Sequence, residues 1–294
     1  MSNDTRHQDD NDAQNERSLR TGILALAISV LVGWWLIYPS TATRSSETRL
    51  VDSPLRVGYA IEPPYAFLDD QGQLQGESID VLRHVLQEEH ITDVVWLHVE
   101  FGDLLHELKH GRIDIIASGM FDTPERRIHA LFTRPTARVR AALLVRVDLP
   151  PTFQLKDLTA DATHRVVVID GSVEQQTLVS LGWTADRIHP AADAEAAMDT
   201  LESGMADMLA LSLPSVRWQL KRREIADRYR IIELPEVPPG YPAFAVGLDN
   251  ANLKRRIDQV LATYIGSPAH VRNVQSYGFE WADVVWPAST ETTP

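Results

Sequence analysis

From Leu55 onward, strand-like runs alternate with amphipathic helical periods, and near residue 139 the alternation begins again. A strand–helix–strand order folds as a parallel sheet with helices on its faces, so few architectures remain open. In the first half the spacing predicts strands over 55–60, 93–99 and 114–118. It predicts helices over 78–89 and 102–110, the first carrying Ile79, Leu82, Val85 and Leu86 on one face with Ser78 as N-cap, the second ended by Gly111. A loop with Pro63 and Pro64 follows the first strand. In the second half, strands are expected over 139–147, 165–170, 207–211, 229–234 and 241–247. Helices are expected from about 173 and over 194–203, 214–223, 252–265 and 268–277, with a loop at Leu149-Pro150-Pro151. Two α/β units are thus joined by two extended segments, near 139–147 and 240–247. A chain that enters a second unit and returns makes a hinge with a cleft beneath it. The expected division is lobe 1 over 54–140 plus 242–285, and lobe 2 over 141–241.

The N-terminal region reads differently. Residues 1–20 are polar and low in complexity, which predicts a disordered tail. Thr21 to Tyr38 is an uncharged, mostly apolar run closed by Pro39, with Trp34, Trp35 and Tyr38 at its far end as an interfacial belt. Residues 21–39 are therefore expected to be one transmembrane anchor in the inner membrane or, if cut near Ser40-Thr41-Ala42, a signal segment. Arg17 and Arg20 favour an N-in orientation, and residues 40–53 serve as a tether. Either outcome exports the rest of the chain to the periplasm or cell exterior. There are no cysteines, which excludes disulfides, thiolate metal sites, a cysteine nucleophile and a lipidated N-terminal cysteine. The net charge of −13 argues against nucleic acid as a partner, because that requires clustered Lys and Arg.

The most chemically informative stretch runs from Ile115 to Arg127, IIASGMFDTPERR: a buried strand, a glycine turn, and a short segment opening a new element. Glycine permits close backbone approach, and the planar fork of an arginine suits a carboxylate. In order and spacing, LRVGYAIEPPYAF, GESIDVLRHVL, GRIDIIASGMFDTPERR and VVVIDGSVEQQ resemble the type II periplasmic solute-binding proteins of ABC importers. The likeness covers roughly residues 50–280 and is to family 3, which binds amino acids and compatible solutes. Glu62-Pro63-Pro64-Tyr65, Glu100-Phe101-Gly102 and Gly119-Met120-Phe121 look most like the ectoine/hydroxyectoine-binding proteins. The resemblance implies a two-lobed α/β fold with a hinged cleft, no cofactor, and an ABC permease or membrane sensor as partner.

The same resemblance assigns candidate ligand contacts. In amino-acid binders the turn presents a glycine, a hydroxyl residue two positions on, and an arginine seven positions after the glycine. Here Gly119 and Arg126 keep the spacing, and Phe121 stands at the hydroxyl position. Arg126 is expected to clamp a carboxylate, although an arginine on a surface helix paired with Glu125 satisfies the same local pattern. Those binders commonly use an aspartate for the ligand's ammonium where this chain has Ser212. A hydroxyl neutralises an ammonium poorly, whereas aromatic faces stabilise a delocalised or substituted cation. Tyr65, Phe101 and Phe121 are the expected cage, with Glu62 as acidic partner; core packing for the aromatics and helix capping for Glu62 are the plainer alternatives. Ser172, Val173 and Glu174, after Gly171, lie where a strand gives way to a helix and are expected to close over the ligand.

The expected function is extracytoplasmic binding of a small zwitterion, ectoine-like, betaine-like or amino-acid-like. An ordinary polar amino-acid binder and a dehydratase using Glu62 or Glu174 as proton donor are the alternatives. His106-Glu107-Leu108-Lys109-His110 matches H-E-x-x-H, the zincin signature. No further His stands at metzincin spacing, Gly111 ends the helix, and Leu104, Leu105 and Leu108 fit a buried face, so neither metal nor catalysis is expected there. Neither a phosphate-binding glycine loop nor a nucleophile elbow occurs, so import would require an ATPase partner.

Overall fold

The computed structural model describes residues 53–148 and 163–285. The tail, apolar segment and tether expected over 1–52, and the loop at 149–151, fall outside those residues. No helix among the described residues is long and apolar enough to cross a membrane.

In chain order the strands are β1 (Leu55–Tyr59), β2 (Phe67–Leu68), β3 (Leu74–Gln75), β4 (Val94–His98), β5 (Ile115–Ile116), β6 (Leu131–Phe132), β7 (Ala141–Arg146), β8 (Val166–Ile169), β9 (Ile188–Ala191), β10 (Met208–Ser212), β11 (Tyr229–Glu233) and β12 (Ala245–Val246). The helices are α1 (Glu77–Glu88), α2 (Leu104–Lys109, entered through a 3-10 turn at Phe101–Asp103), α3 (Pro124–Arg127), α4 (Val173–Ser180), α5 (Ala194–Glu202), α6 (Leu213–Arg222), α7 (Ala251–Tyr264), α8 (Pro268–Gln275) and α9 (Trp281–Val284).

Two five-stranded sheets form the two lobes, ordered β4-β1-β5-β12-β6 and β11-β7-β10-β8-β9. In the first, β1 runs parallel to β4 and β5, while β12 is antiparallel to β5 and β6. In the second, β8 runs parallel to β9 and β10, and β7 is antiparallel to β10 and β11. The central parallel strand of the second sheet is a continuous apolar run, as expected where helices cover a sheet: β8 is fully buried along Val166–Ile169. The antiparallel strands belong to the chain's two passages between sheets. These passages pair with each other, Val139 and Gly240 exchanging main-chain hydrogen bonds of 2.9 and 2.8 Å.

The long strands expected over 139–147 and 241–247 are shorter in the structure. Pro238, Pro239 and Pro242 carry no N–H for a ladder, so regular pairing resumes only at Ala245. A small hairpin, β2–β3, was not evident from periodicity. Its turn is held by Asp69, whose carboxylate accepts from the N–H groups of Gln71 and Gln73. The N-terminus of α1 also differs from expectation. The helix begins at Glu77 after Gly76, and Ser78 does not cap it. The Ser78 hydroxyl instead donates to Glu77 Oε2 at 2.8 Å and accepts from the Gly119 N–H at 3.1 Å. It thereby ties the helix to the turn after β5.

Glu77 itself is fully buried, with Oε1 unpartnered. Loss of hydration raises its pKa from 4.5 to about 7, against the opposing hydrogen bonds from Thr136 and Ser78. Below the ordinary carboxyl range both folded and unfolded chains hold this proton, and Glu77 has no effect on stability. As pH rises from 4.5 to about 7, only the folded chain retains it, so stability falls, and above that range the full penalty is present. Glu77→Gln should therefore flatten the decline. Urea unfolding at pH 5 and pH 8 should show a smaller loss in the variant, by roughly 1–3 kcal/mol. An equal slope in both proteins would mean Glu77 remains ionised when folded.

Candidate functional site

The strand–turn–helix from β5 to α3 builds the first wall of the cleft. Gly119 adopts a left-handed conformation, φ +65°, and a Cβ there would lie 2.3 Å from the Tyr65 ring. The position therefore demands glycine twice, for its backbone and for the aromatic laid over it. Thr123 then caps α3 by accepting from the Arg126 N–H at 3.3 Å, with Pro124 preset at the first helical position. The cap fixes where Arg126 leaves the backbone.

Arg126 is only 4% exposed. Its Nη1 donates to Phe121 O at 2.8 Å and its Nη2 to Gly171 O at 2.9 Å, so the guanidinium bridges the two lobes. Both acceptors are neutral carbonyls, and among the described residues no carboxylate lies within ion-pairing distance. Burial accordingly lowers its pKa to about 10, offset in part by the fields of Glu174 and Glu125. Phe101 takes a different place from the expected cage. Its ring lies 5.7 Å from the Arg126 Cζ and backs the guanidinium, because the 3-10 turn that carries it packs under the arginine.

Opposite elements supply a polar chain. Tyr65 donates to Ser212 Oγ at 3.0 Å, Ser212 and Ser215 hydroxyls meet at 2.9 Å, and Ser215 donates to Glu62 Oε1 at 3.1 Å. Ser212 ends β10 and caps α6, accepting from the Ser215 N–H at 3.3 Å. Glu62 Oε2 is buried and has no partner. Desolvation, reinforced by Glu174 and Asp193, holds the Glu62 carboxyl well above its ordinary range, against the hydrogen bond from Ser215. From the second lobe, Ser172 caps α4 by accepting from the Gln175 N–H at 3.1 Å. Glu174 stands in the first turn of α4, its pKa raised by burial although Arg126 and Ser172 oppose the shift.

These groups enclose a cavity of about 30 Å³ lined by Glu62, Tyr65, Gly119, Phe121, Arg126, Ser172, Val173, Glu174 and Ser212, with Ile169 and Leu211. Every candidate named from the sequence except Phe101 lines it. A space this size holds about one water, so a solute can enter only when the lobes part. Ser215 was not singled out from the sequence. Its signal was the Ser212-x-x-Ser215 spacing, which reads as a helix cap and gives no hint that Glu62 lies beyond.

The H-E-x-x-H helix has no metal-site geometry. Glu107 pairs with Arg112, His110 Nδ1 lies 2.8 Å from His106 O, and no group of three or more potential ligands occurs among the described residues.

The family model for bacterial extracellular solute-binding proteins, family 3, matches residues 55–277. A Probable amino-acid ABC transporter periplasmic-binding protein of Sinorhizobium fredii is 22% identical over 231 residues, 76% of this chain and 77% of that one. An L-arginine-binding protein of Pseudomonas aeruginosa is 36% identical over 110 residues, 37% of each. Among solved structures, EhuB in complex with hydroxyectoine superposes with a TM-score of 0.73 at 22% identity, over 80% of this chain and 92% of that one. An ancestral arginine-binding protein bound to arginine gives 0.69 at 23% identity, over 76% and 98%. The two-sheet fold with paired crossovers and the match across 55–277 agree: the chain belongs to the bacterial extracellular solute-binding proteins, family 3.

Proposed function

We propose that this chain captures a small zwitterion outside the cytoplasm and hands it to an ABC permease or signals its presence through a membrane sensor. The supporting observation is a buried cation and a buried, incompletely bonded carboxyl facing one cleft. Arg126 is a buried cation bonded only to carbonyls, and Glu62 is a buried carboxyl with one oxygen unpartnered. Each isolated charge is costly in a low-dielectric site, and a ligand bearing both complementary poles relieves both at once. The solute's carboxylate goes to Arg126. Its cationic end goes to Glu62, with the faces of Tyr65 and Phe121 beside it and Glu174, Ser172 and Val173 closing from the other lobe.

Ser212 favours a substituted or delocalised cation, ectoine-like or betaine-like, over a primary ammonium. Its hydroxyl is already engaged by Tyr65 and Ser215 and carries no charge. The similar proteins support this range of cargo, since hydroxyectoine, arginine and amino acids are the ligands of those proteins. We further infer that residues 21–39 hold the protein at the inner membrane, that lobe 1 spans 54–140 plus 242–285, and that lobe 2 spans 141–241. A second reading, a dehydratase, draws on the two raised carboxyls Glu62 and Glu174. An ancestral amino acid-binding protein described as a precursor of cyclohexadienyl dehydratase shares the fold at TM-score 0.69. A proton donor alone does not make that chemistry.

Titration calorimetry of residues 45–294 with ectoine, glycine betaine and the standard amino acids tests the main reading. Saturable binding of one or more zwitterions is expected, while stabilisation by standard amino acids alone would reverse the preference for substituted cations. Arg126→Ala should weaken the bound solute about a hundredfold, as expected for loss of a charge-assisted hydrogen-bonded pair. Glu62→Gln should weaken cationic-headed solutes about tenfold, while a solute with only a carboxylate should bind no worse. Prephenate incubated with the protein should remain unconverted by absorbance; turnover that depends on Glu62 or Glu174 would establish the dehydratase instead.

A further inference from the structure

A second, larger cavity of about 940 Å³ lies next to the solute cleft, and Phe121, Val173 and Glu174 line both spaces. Its remaining wall is mainly apolar, with Phe132, Leu143 and Leu178 among its residues. Phe121, Val173 and Glu174 therefore stand at the common boundary of the two spaces, and the Phe121 ring is the largest of the three groups.

What holds that ring is a glycine in the crossover. A Cβ built on Gly240 would lie 2.1 Å from Phe121 Cε2 and 2.4 Å from Cδ2, so the ring occupies the volume where any side chain at 240 would stand. Neither backbone can yield to relieve such a clash. Gly240 is pinned by its two main-chain hydrogen bonds to Val139. Phe121 is flanked by Asp122 N–H donating to Tyr241 O at 3.0 Å and Ala243 N–H donating to Met120 O at 3.0 Å. With both chains tied, the ring is the group that must move, and it would leave its seat on Gly240.

We propose that Phe121, seated on Gly240, is the end wall of the cleft and restricts cargo to compact solutes, and that removing it joins the cleft to the larger cavity and admits solutes with long side chains. This rests on the zwitterion reading above and adds a size limit to it. Because Gly240 belongs to the crossover, the wall stands on the hinge itself, and its position is tied to closure of the two lobes.

The test uses four proteins, wild type, Phe121→Ser, Gly240→Ala and the double variant, with glycine betaine and ectoine as compact probes and lysine and arginine as extended ones. Melting of the unliganded proteins comes first. Gly240→Ala should lower the melting temperature, and the double variant should melt like Phe121→Ser, because the added methyl group is harmless once the ring is gone. Additive losses would show that Gly240 is no seat for the ring. In titrations, the wild type should prefer a compact probe to arginine by at least tenfold, and Phe121→Ser should reduce or invert that ratio by at least tenfold. Gly240→Ala, which unseats the ring, should shift the ratio in the same direction as Phe121→Ser. If compact probes bind the wild type but the ratio is unmoved in Phe121→Ser, the wall is wrong and the zwitterion reading stands. If no probe binds any of the four proteins, the zwitterion reading falls and the wall falls with it.

Discussion

The interaction on which the cleft depends is the Arg126 guanidinium bridging Phe121 O and Gly171 O. A charge removed from water to 4% exposure needs compensation, and two carbonyl oxygens supply only dipoles. Much of the local architecture serves to hold this one group in place. The left-handed Gly119 turns the chain out of β5, Thr123 and Pro124 start α3 at a fixed angle, and the Phe101 ring lies beneath the guanidinium. Because one acceptor belongs to each lobe, the arginine also reports whether the lobes are together. Opening withdraws Gly171 O and exposes donors that a carboxylate matches better than a carbonyl does.

The remaining contacts between the lobes near the cleft are weaker in kind. Tyr65 to Ser212 and Ser215 to Glu62 are hydrogen bonds in which the hydroxyls are neutral, each worth about 1 kcal/mol net in a typical protein setting. Closure over a cavity of about 30 Å³ therefore satisfies most of the polar groups while leaving one Glu62 oxygen and one guanidinium charge unmet. On the proposed reading a solute displaces these bonds to enter and gains by answering the guanidinium charge and the unpartnered Glu62 oxygen. Affinity on this account comes from charge satisfaction, and the hydroxyl chain mainly keeps the closed form organised.

The alternation of periods was enough to read the two α/β units, since buried parallel strands and one-sided helices leave different spacings. The Gly119-to-Arg126 interval was legible for a related reason: a turn and a short capped helix have a nearly fixed length. What was not legible depends on contacts distant in sequence. Phe101 reads like any aromatic near a strand end, and nothing local says that it faces Arg126 and not the cavity. Ser78 looks like an N-cap, yet its hydroxyl binds Gly119, 41 residues away. Ser215 looks like part of a helix start, yet it donates to Glu62 across 153 residues. The second crossover strand was overestimated because β-propensity was read through Pro242 without subtracting the ladder bond it removes.

The pairing of Ser215 with Glu62 also links the Ser212 position to the buried carboxyl of the cleft. In the binders this sequence resembles, an aspartate at the position of Ser212 carries the negative pole. Here Ser212 is joined through Ser215 to Glu62, a carboxyl already strained by desolvation and by the fields of Glu174 and Asp193. A carboxylate at 212 would place another negative charge in that buried chain, where like charges at short range cost several kcal/mol at a modest effective dielectric. In the proposed reading the negative pole is Glu62, in the proline-held loop after β1, joined through Ser215 to the uncharged Ser212 at the end of β10. On that reading a bound cation would meet Glu62 beside Tyr65 and Phe121, whose rings line the same space.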